Sequence, residues 1–244
     1  MAAAAVEAYL GEVAGSFPSP AGRDVRGLAL SSGYLFVLDS NDPGVTYLLN
    51  IWNGSIYSSY NVSWSGSNGG LAFSTPYNLW VGNPGNDTVY RCYALDGSIY
   101  GSWSAGHDPF GLAPLCTGDG GTGTSYVLGT DSSPSAIFTH RLGDGSVVRS
   151  VAIPGASNFD CAYDWRNKLV WLGRGSGVVF GYTASGTAAA SFPSPAAGPA
   201  GLAYSREILW VACAGNGQVY RVRCPYNFAG LEPASLGRVR AIFK

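Results

Sequence analysis

The hexapeptide SFPSPA occurs twice in this chain, at Ser16–Ala21 and at Ser191–Ala196. The second copy ends the segment GTAAASF (Gly186–Phe192), and the first ends GEVAGSF (Gly11–Phe17). Laid over one another, Gly11 matches Gly186 and Phe17 matches Phe192. Both ends of the chain thus carry the same part of one repeating unit, and the fold follows from finding the rest of that unit.

The triplet GLA recurs at Gly27–Ala29, Gly70–Ala72, Gly111–Ala113 and Gly201–Ala203. Asp160-Cys161-Ala162 keeps the apolar residue and the alanine of a fifth copy, and the intervals are 43, 41, 49 and 41 residues. Each copy leads into a second apolar run holding an aromatic: YLFVLD (Tyr34–Asp39), NLWVGN (Asn78–Asn83), SYVLGT (Ser125–Thr130), LVWLGR (Leu169–Arg174) and ILWVAC (Ile208–Cys213). A third run follows, such as TVYRCY (Thr88–Tyr93), and then WNG, LDG, GDG or ASG before a fourth run. Asn-Gly and Asp-Gly are hairpin signals, because both central residues of a type I′ turn need positive φ. Short apolar or alternating runs between such turns are strands.

Four antiparallel strands in 41–49 residues make a propeller blade. The sequence therefore predicts an all-β, single-domain, five-bladed β-propeller over residues 1–244. Its blades start near 27, 70, 111, 160 and 201, and residues 224–244 form a tail. The fifth unit has no hairpin glycine after Arg223. The N-terminal segment Gly11–Phe17 is expected to supply its fourth strand and close the ring, leaving no unpaired edge. The alternating stretch GRVRAIF (Gly237–Phe243) is the other segment able to take that place.

The shape P-x-GLA … LWVA-x-x-GN-x-x-VY, seen best in GPAGLAYSREILWVACAGNGQVYRV (Gly198–Val222) and in Gly70–Gly97, resembles the NHL and related YVTN-like propeller repeats. The resemblance runs from Gly11 to Arg223 and implies the fold. Propellers of this kind host lectins, scaffolds, lyases and lactonases, so it implies no single function. Such families often place an acid at the end of the second strand. Asp39 does so here, whereas Asn83, Arg174 and Cys213 stand in its place elsewhere.

Composition narrows the classes of function. Hydrophobic residues make up 46% of the chain and charged residues 12%, and 14 Lys+Arg against 15 Asp+Glu give a net charge of −1. A nucleic-acid binder would show a basic stripe, and none is present. No run of eighteen apolar residues suggests a membrane-spanning helix. The start MAAAAVEAYLGE lacks the basic segment of a signal peptide. The abundance of small and polar residues suggests a bacterial, extracellular or cell-surface protein, with a cytoplasmic location open, and a monomer. The five cysteines form no CxxC pair and are expected to be small buried hydrophobes.

The loops joining blades, and those between second and third strands, share one face around the channel, the default ligand site of such a ring. The candidates there are Arg26, Asp39, Asn83, His107, Asp108, Asp131, Asp160 and Arg174. His107-Asp108 could tune a general base, although Asp108-Pro109 also reads as a turn opener. His140 is expected to be half exposed on a strand. Two histidines in all weigh against chemistry like that of the streptogramin-inactivating lyases. A gluconolactonase-like site would need Glu, Asn and Asp converging on calcium, and the four glutamates lie elsewhere. No cofactor is expected, calcium near Asp39, Asp131 or Asp160 being the exception. No phosphate loop or nucleophile elbow is present. Trp80, Trp171 and Trp210 share one strand position and read as packing between blades. Trp52, Trp64 and Trp103 fall outside it and are candidates for a sugar or protein contact. The sequence therefore favours a non-catalytic module binding a glycan or protein, with a small-molecule hydrolase or lyase as the alternative.

Overall fold

The computed structural model describes residues 9–225 apart from 32, 41–43, 63–68, 119–122, 124, 133–134 and 155–157. It is a ring of five four-stranded antiparallel sheets. Blade 1 is β2 (Val25–Leu30), β3 (Tyr34–Asp39), β4 (Val45–Asn50) and β5 (Ile56–Asn61); blade 2 is β6 (Leu71–Ser74), β7 (Asn78–Asn83), β8 (Thr88–Tyr93) and β9 (Ile99–Ser104). Blade 3 is β10 (Gly111–Leu115), β11 (Tyr126–Ser132), β12 (Ser135–Arg141) and β13 (Val147–Ala152); blade 4 is β14 (Asn158–Asp164), β15 (Leu169–Arg174), β16 (Val178–Tyr182) and β17 (Ala188–Pro193). Blade 5 joins β18 (Pro199–Ser205), β19 (Ile208–Cys213) and β20 (Gln218–Arg223) to the N-terminal strand β1 (Val13–Pro18).

The first strands ring the axis, where β2, β6, β10, β14 and β18 meet one another in turn. Burial follows radius. Second strands are packed on both faces, so β15 is buried at every residue and reads as an unbroken apolar run. Fourth strands lie on the rim and alternate: in β17 only Ala190 and Phe192 are buried.

The repeated hexapeptide does the same work in both places. Phe17 packs on Trp210 at 6.1 Å between ring centroids, and Phe192 packs on Trp171 at 5.6 Å. The Ser19 N–H donates to the Gly217 carbonyl and the Ser194 N–H to the Gly177 carbonyl, each tying a fourth strand to the loop between second and third strands of its own blade. β1 pairs with β20 from Val13↔Val222 to Pro18↔Gln218. Just beyond, Gly11 and Glu12 exchange backbone hydrogen bonds with Arg223 at 3.0 and 2.8 Å. Two distant chain ends thereby reproduce a blade hairpin, and the edge left by β20 is paired. The alternative segment Gly237–Phe243 lies outside the described residues.

The hairpin glycines carry a constraint that turn chemistry alone does not reveal. Gly54, Gly97, Gly145 and Gly186 all have positive φ, between 72° and 81°. Each also lies against a fourth-strand side chain of the preceding blade: Phe17 on Gly54, Tyr60 on Gly97, Trp103 on Gly145 and Val151 on Gly186, with no room for a Cβ. Gly11 receives Phe192 in the same way; a Cβ there would lie 2.8 Å from that of Phe192. Glycine at this position therefore sets both the turn and the spacing between blades.

Candidate functional site

At the axis the repeat breaks its own symmetry. Four blades place the glycine of GLA there, and blade 4 places Asp160, which is fully buried. Its Oδ2 accepts the backbone N–H of Leu202 at 2.7 Å and of Leu28 at 3.3 Å, and its Oδ1 accepts that of Leu112 at 3.3 Å. Those donors are the leucines of GLA in blades 5, 1 and 3. Any Cβ at Gly70 would come within 2.6 Å of Oδ1. Expected among the ligand contacts of the loop face, Asp160 instead fills the centre of the ring and ties its first strands together. Burial pushes its carboxyl well above the ordinary carboxylate range, and the backbone N–H groups pull the other way. Beyond it, toward the turns between first and second strands, a cavity of about 30 Å³ is lined by apolar residues including Leu30, Leu71, Cys116 and Tyr204. It has room for a couple of water molecules.

Five of the second-strand ends share one register position at the loop face: Asp39, Asn83, Asp131, Arg174 and Cys213. Asp131 is thus a second blade's counterpart of Asp39, one residue past the apolar run in which the sequence suggested the strand ended. Asn83 is buried, and its Oδ1 accepts the Gly85 N–H at 3.0 Å to hold the loop. Arg174 is nearly buried; it donates to the Tyr182 hydroxyl at 2.7 Å and to the Pro154 carbonyl, and lies over Phe180 at 4.7 Å. Arg26 and Asp39 are half-buried on β2 and β3. Ser194 and Cys213 are 3.3 Å apart at the equivalent point of blade 5.

The seam between blades 2 and 3 gathers three of the ionisable candidates, His107, Asp108 and Asp131. His140 is fully buried, where the sequence suggested half exposure, because its β12 position faces the neighbouring blade. Its Nδ1 lies 2.9 Å from the Gly145 carbonyl, which can only accept, so Nδ1 carries the proton. The Nε2 of neutral His140 then accepts from His107 Nε2, 2.9 Å away. The His107 ring stacks on Phe138 at 3.9 Å. Asp131 is buried nearby and interacts electrostatically with His107, as does Asp87. The hydrogen bond that protonated Asp108 donates to the Asp87 carboxylate, together with partial burial and the charges of Asp131 and Asp87, raises the Asp108 carboxyl above its ordinary range. Among the described residues no group of three or more His, Cys, Asp or Glu side chains is arranged to hold a metal ion. The five cysteines are free thiols, all buried.

Burial lowers both histidines, and His107 is lowered further by its neighbour His140. A histidine depressed in the folded state stabilises the fold above its unfolded value, about 6.5, and loses that contribution as pH falls toward its folded value. The contribution of this pair to the unfolding midpoint is therefore expected to drop as pH is lowered from 7 to 5. The double change His107→Gln/His140→Gln should flatten this dependence, whatever its effect at pH 7. An unchanged slope in the double variant would rule the pair out as its source.

The tryptophans outside the packing register divide. Trp103 is buried against Gly145, so the blade seam accounts for it; Trp64 lies outside the described residues; Trp52 is 73% exposed. Trp52 belongs to a rim the sequence did not reveal. On blade 1, Trp52, Ile56 and Tyr57 are exposed, and on blade 2 the equivalent residues Leu95, Ile99 and Tyr100 are. Tyr77 and Tyr93 add to the blade 2 side. Tyr34 and Tyr57 pair at 5.1 Å, and Tyr93 and Tyr100 at 4.7 Å. The signal was present in the parallel SIY stretches, Ser55–Tyr57 and Ser98–Tyr100, whose exposure only strand register decides.

No protein-family model and no curated protein matches the chain. Among solved structures it is similar to glutaminyl cyclase of Myxococcus xanthus, with a TM-score of 0.72 and 12% identity over 87% of this chain and 95% of that one. It is also similar to the WD40 β-propeller domain of Doa1 (TM-score 0.54, 13% identity, 80% of this chain and 62% of that one). A third similar structure is virginiamycin B lyase of Staphylococcus aureus (TM-score 0.51, 13% identity, 82% and 66%). Enzymes and a WD40 domain appear side by side, so what the chain shares with all three is the β-propeller fold.

Proposed function

We propose that the chain is a non-catalytic binding module whose contact surface is the outer rim of blades 1 and 2. One observation carries this reading. At three equivalent positions blade 1 has Trp52, Ile56 and Tyr57 and blade 2 has Leu95, Ile99 and Tyr100, all exposed. Blade 3 has Gly143 and the smaller exposed Val147 and Val148 at these positions, blade 4 has Ala184, Ala188 and Ala189, and both form the same sheet. The propeller thus has no need of bulk there, and holding large apolar side chains in water serves binding rather than folding. Tyr77 and Tyr93 add two further exposed rings on the blade 2 side, and exposed apolar residues gathered in one region mark an interaction surface. The buried carboxylate at the axis and the small cavity beyond it support a site on the rim. The GLA-type repeat supports grouping these blades with NHL-like propellers.

The test is one of dispensability. Trp52→Ala, Tyr57→Ala and Leu95→Ala should each leave the unfolding free energy within about 0.5 kcal/mol of the parent, as exposed sites do. A cost above about 2 kcal/mol at any of them would mean that the rim is structural. The second reading, an acid–base enzyme at the loop face, draws on the raised carboxyl of Asp108 beside Asp87 and on the enzymes among the similar structures. It requires turnover of a small lactone or amide that is lost in Asp108→Asn and kept in Trp52→Ala.

A further inference from the structure

We infer that the rim of blades 1 and 2 binds a neutral polysaccharide; this rests on the rim being the contact surface. Arg91 is half-buried with its guanidinium over the Tyr100 ring at 5.0 Å. The exposed Asp96 carboxylate is occupied by the Ser98 N–H at 2.9 Å and the Ser98 hydroxyl at 2.7 Å. A surface whose charges are already engaged suits an uncharged partner and gives no steering to an anionic or cationic one.

The rings alternate with groups that bond to hydroxyls: the Tyr100 hydroxyl donates to Asn78 Oδ1 at 2.5 Å, and Asn53 and Ser59 are exposed beside Trp52 and Tyr57. Tyrosine and tryptophan present a broad apolar face at low rotamer cost, and tilted pairing holds Tyr57 and Tyr100 before any ligand arrives. A sugar ring offers the complement, an apolar C–H face edged by hydroxyls.

The same three positions are built up on two adjacent blades, which abut where Gly97 lies on the Tyr60 ring. A platform that repeats at blade spacing fits a polymer that repeats along its length. These side chains stand exposed on the outer strands, where a small molecule would lack the enclosure that it needs, whereas a chain crossing both blades collects contacts from each.

Native electrophoresis through gels carrying dissolved hydroxyethylcellulose, a soluble β-1,3-glucan, dextran or, as an anionic control, alginate reads this directly. At least one neutral polymer should retard the parent protein, with little change when salt is raised. Trp52→Ala/Tyr57→Ala and Leu95→Ala/Tyr100→Ala should each weaken the retardation tenfold or more while unfolding at the parental midpoint. Retardation by alginate alone, abolished by salt, would overturn the inference, as would retardation that survives both double variants. Absence of retardation together with concentration-dependent self-association in sedimentation velocity would make a second copy of the chain the occupant and overturn the polysaccharide while leaving the rim as a contact surface. No retardation and no self-association overturns the inference too. Only variants that fail to unfold at the parental midpoint would count against the rim reading itself.

Discussion

Replacing Asp160 by glycine gives all five blades a glycine at the axis, and it is expected to cost roughly 3–6 kcal/mol of stability. The substitution leaves the buried N–H groups of Leu28, Leu112 and Leu202 without their acceptor, and each orphaned donor costs about 1–3 kcal/mol. It also opens a gap at the axis where first strands from every blade converge. Asp160→Asn keeps the shape but turns an NH₂ group toward backbone donors, so it should cost less than glycine and more than a surface change. The carboxyl is held above its ordinary range by burial, so the folded state binds a proton that the unfolded chain has released, and this contribution fades as pH rises. The advantage of the parent over Asp160→Asn should therefore widen as pH falls from neutrality toward 4. Denaturant unfolding at several pH values measures both effects. A glycine variant as stable as the parent would show that the axial carboxylate does not tie the blades together.

Removing residues 1–18 should prevent the chain from folding to a monomer, while a chain ended after Pro225 should keep five complete blades. Without β1, β20 becomes an open edge with unpaired backbone groups, a template for aggregation. Trp210 and Gly54 lose the Phe17 ring that spans blades 5 and 1. The point variant Phe17→Ala tests the same closure in a chain that still folds, at an expected cost of about 3–5 kcal/mol. Gly11→Val should act at the neighbouring seam, since its side chain would meet Phe192 and φ is 86° there. Circular dichroism and hydrogen exchange at Val219 and Val222 report on β20. Equal protection with and without residues 1–18 would sink this account of closure.

The amino-acid sequence by itself determined the architecture, because every part of it is written locally and repeated. Hairpin dipeptides set the turns, apolar periodicity set the strands, and the two copies of SFPSPA identified an orphan fourth strand whose blade lies at the other end of the chain. Those signals act over a few residues, and five copies average out their noise. Only the tertiary structure decided what individual side chains do. Asp160 reads in sequence as a degraded GLA or a loop-face acid, but its partners stand 42, 48 and 132 residues away. His140 is buried because a loop histidine of the preceding blade comes to meet it. Trp103 and Trp52 look alike as residues outside the packing register, yet one is covered by a neighbouring blade's glycine and the other faces water. Period and pairing are properties of one blade, whereas burial, protonation and exposure are set by the blade packed beside it.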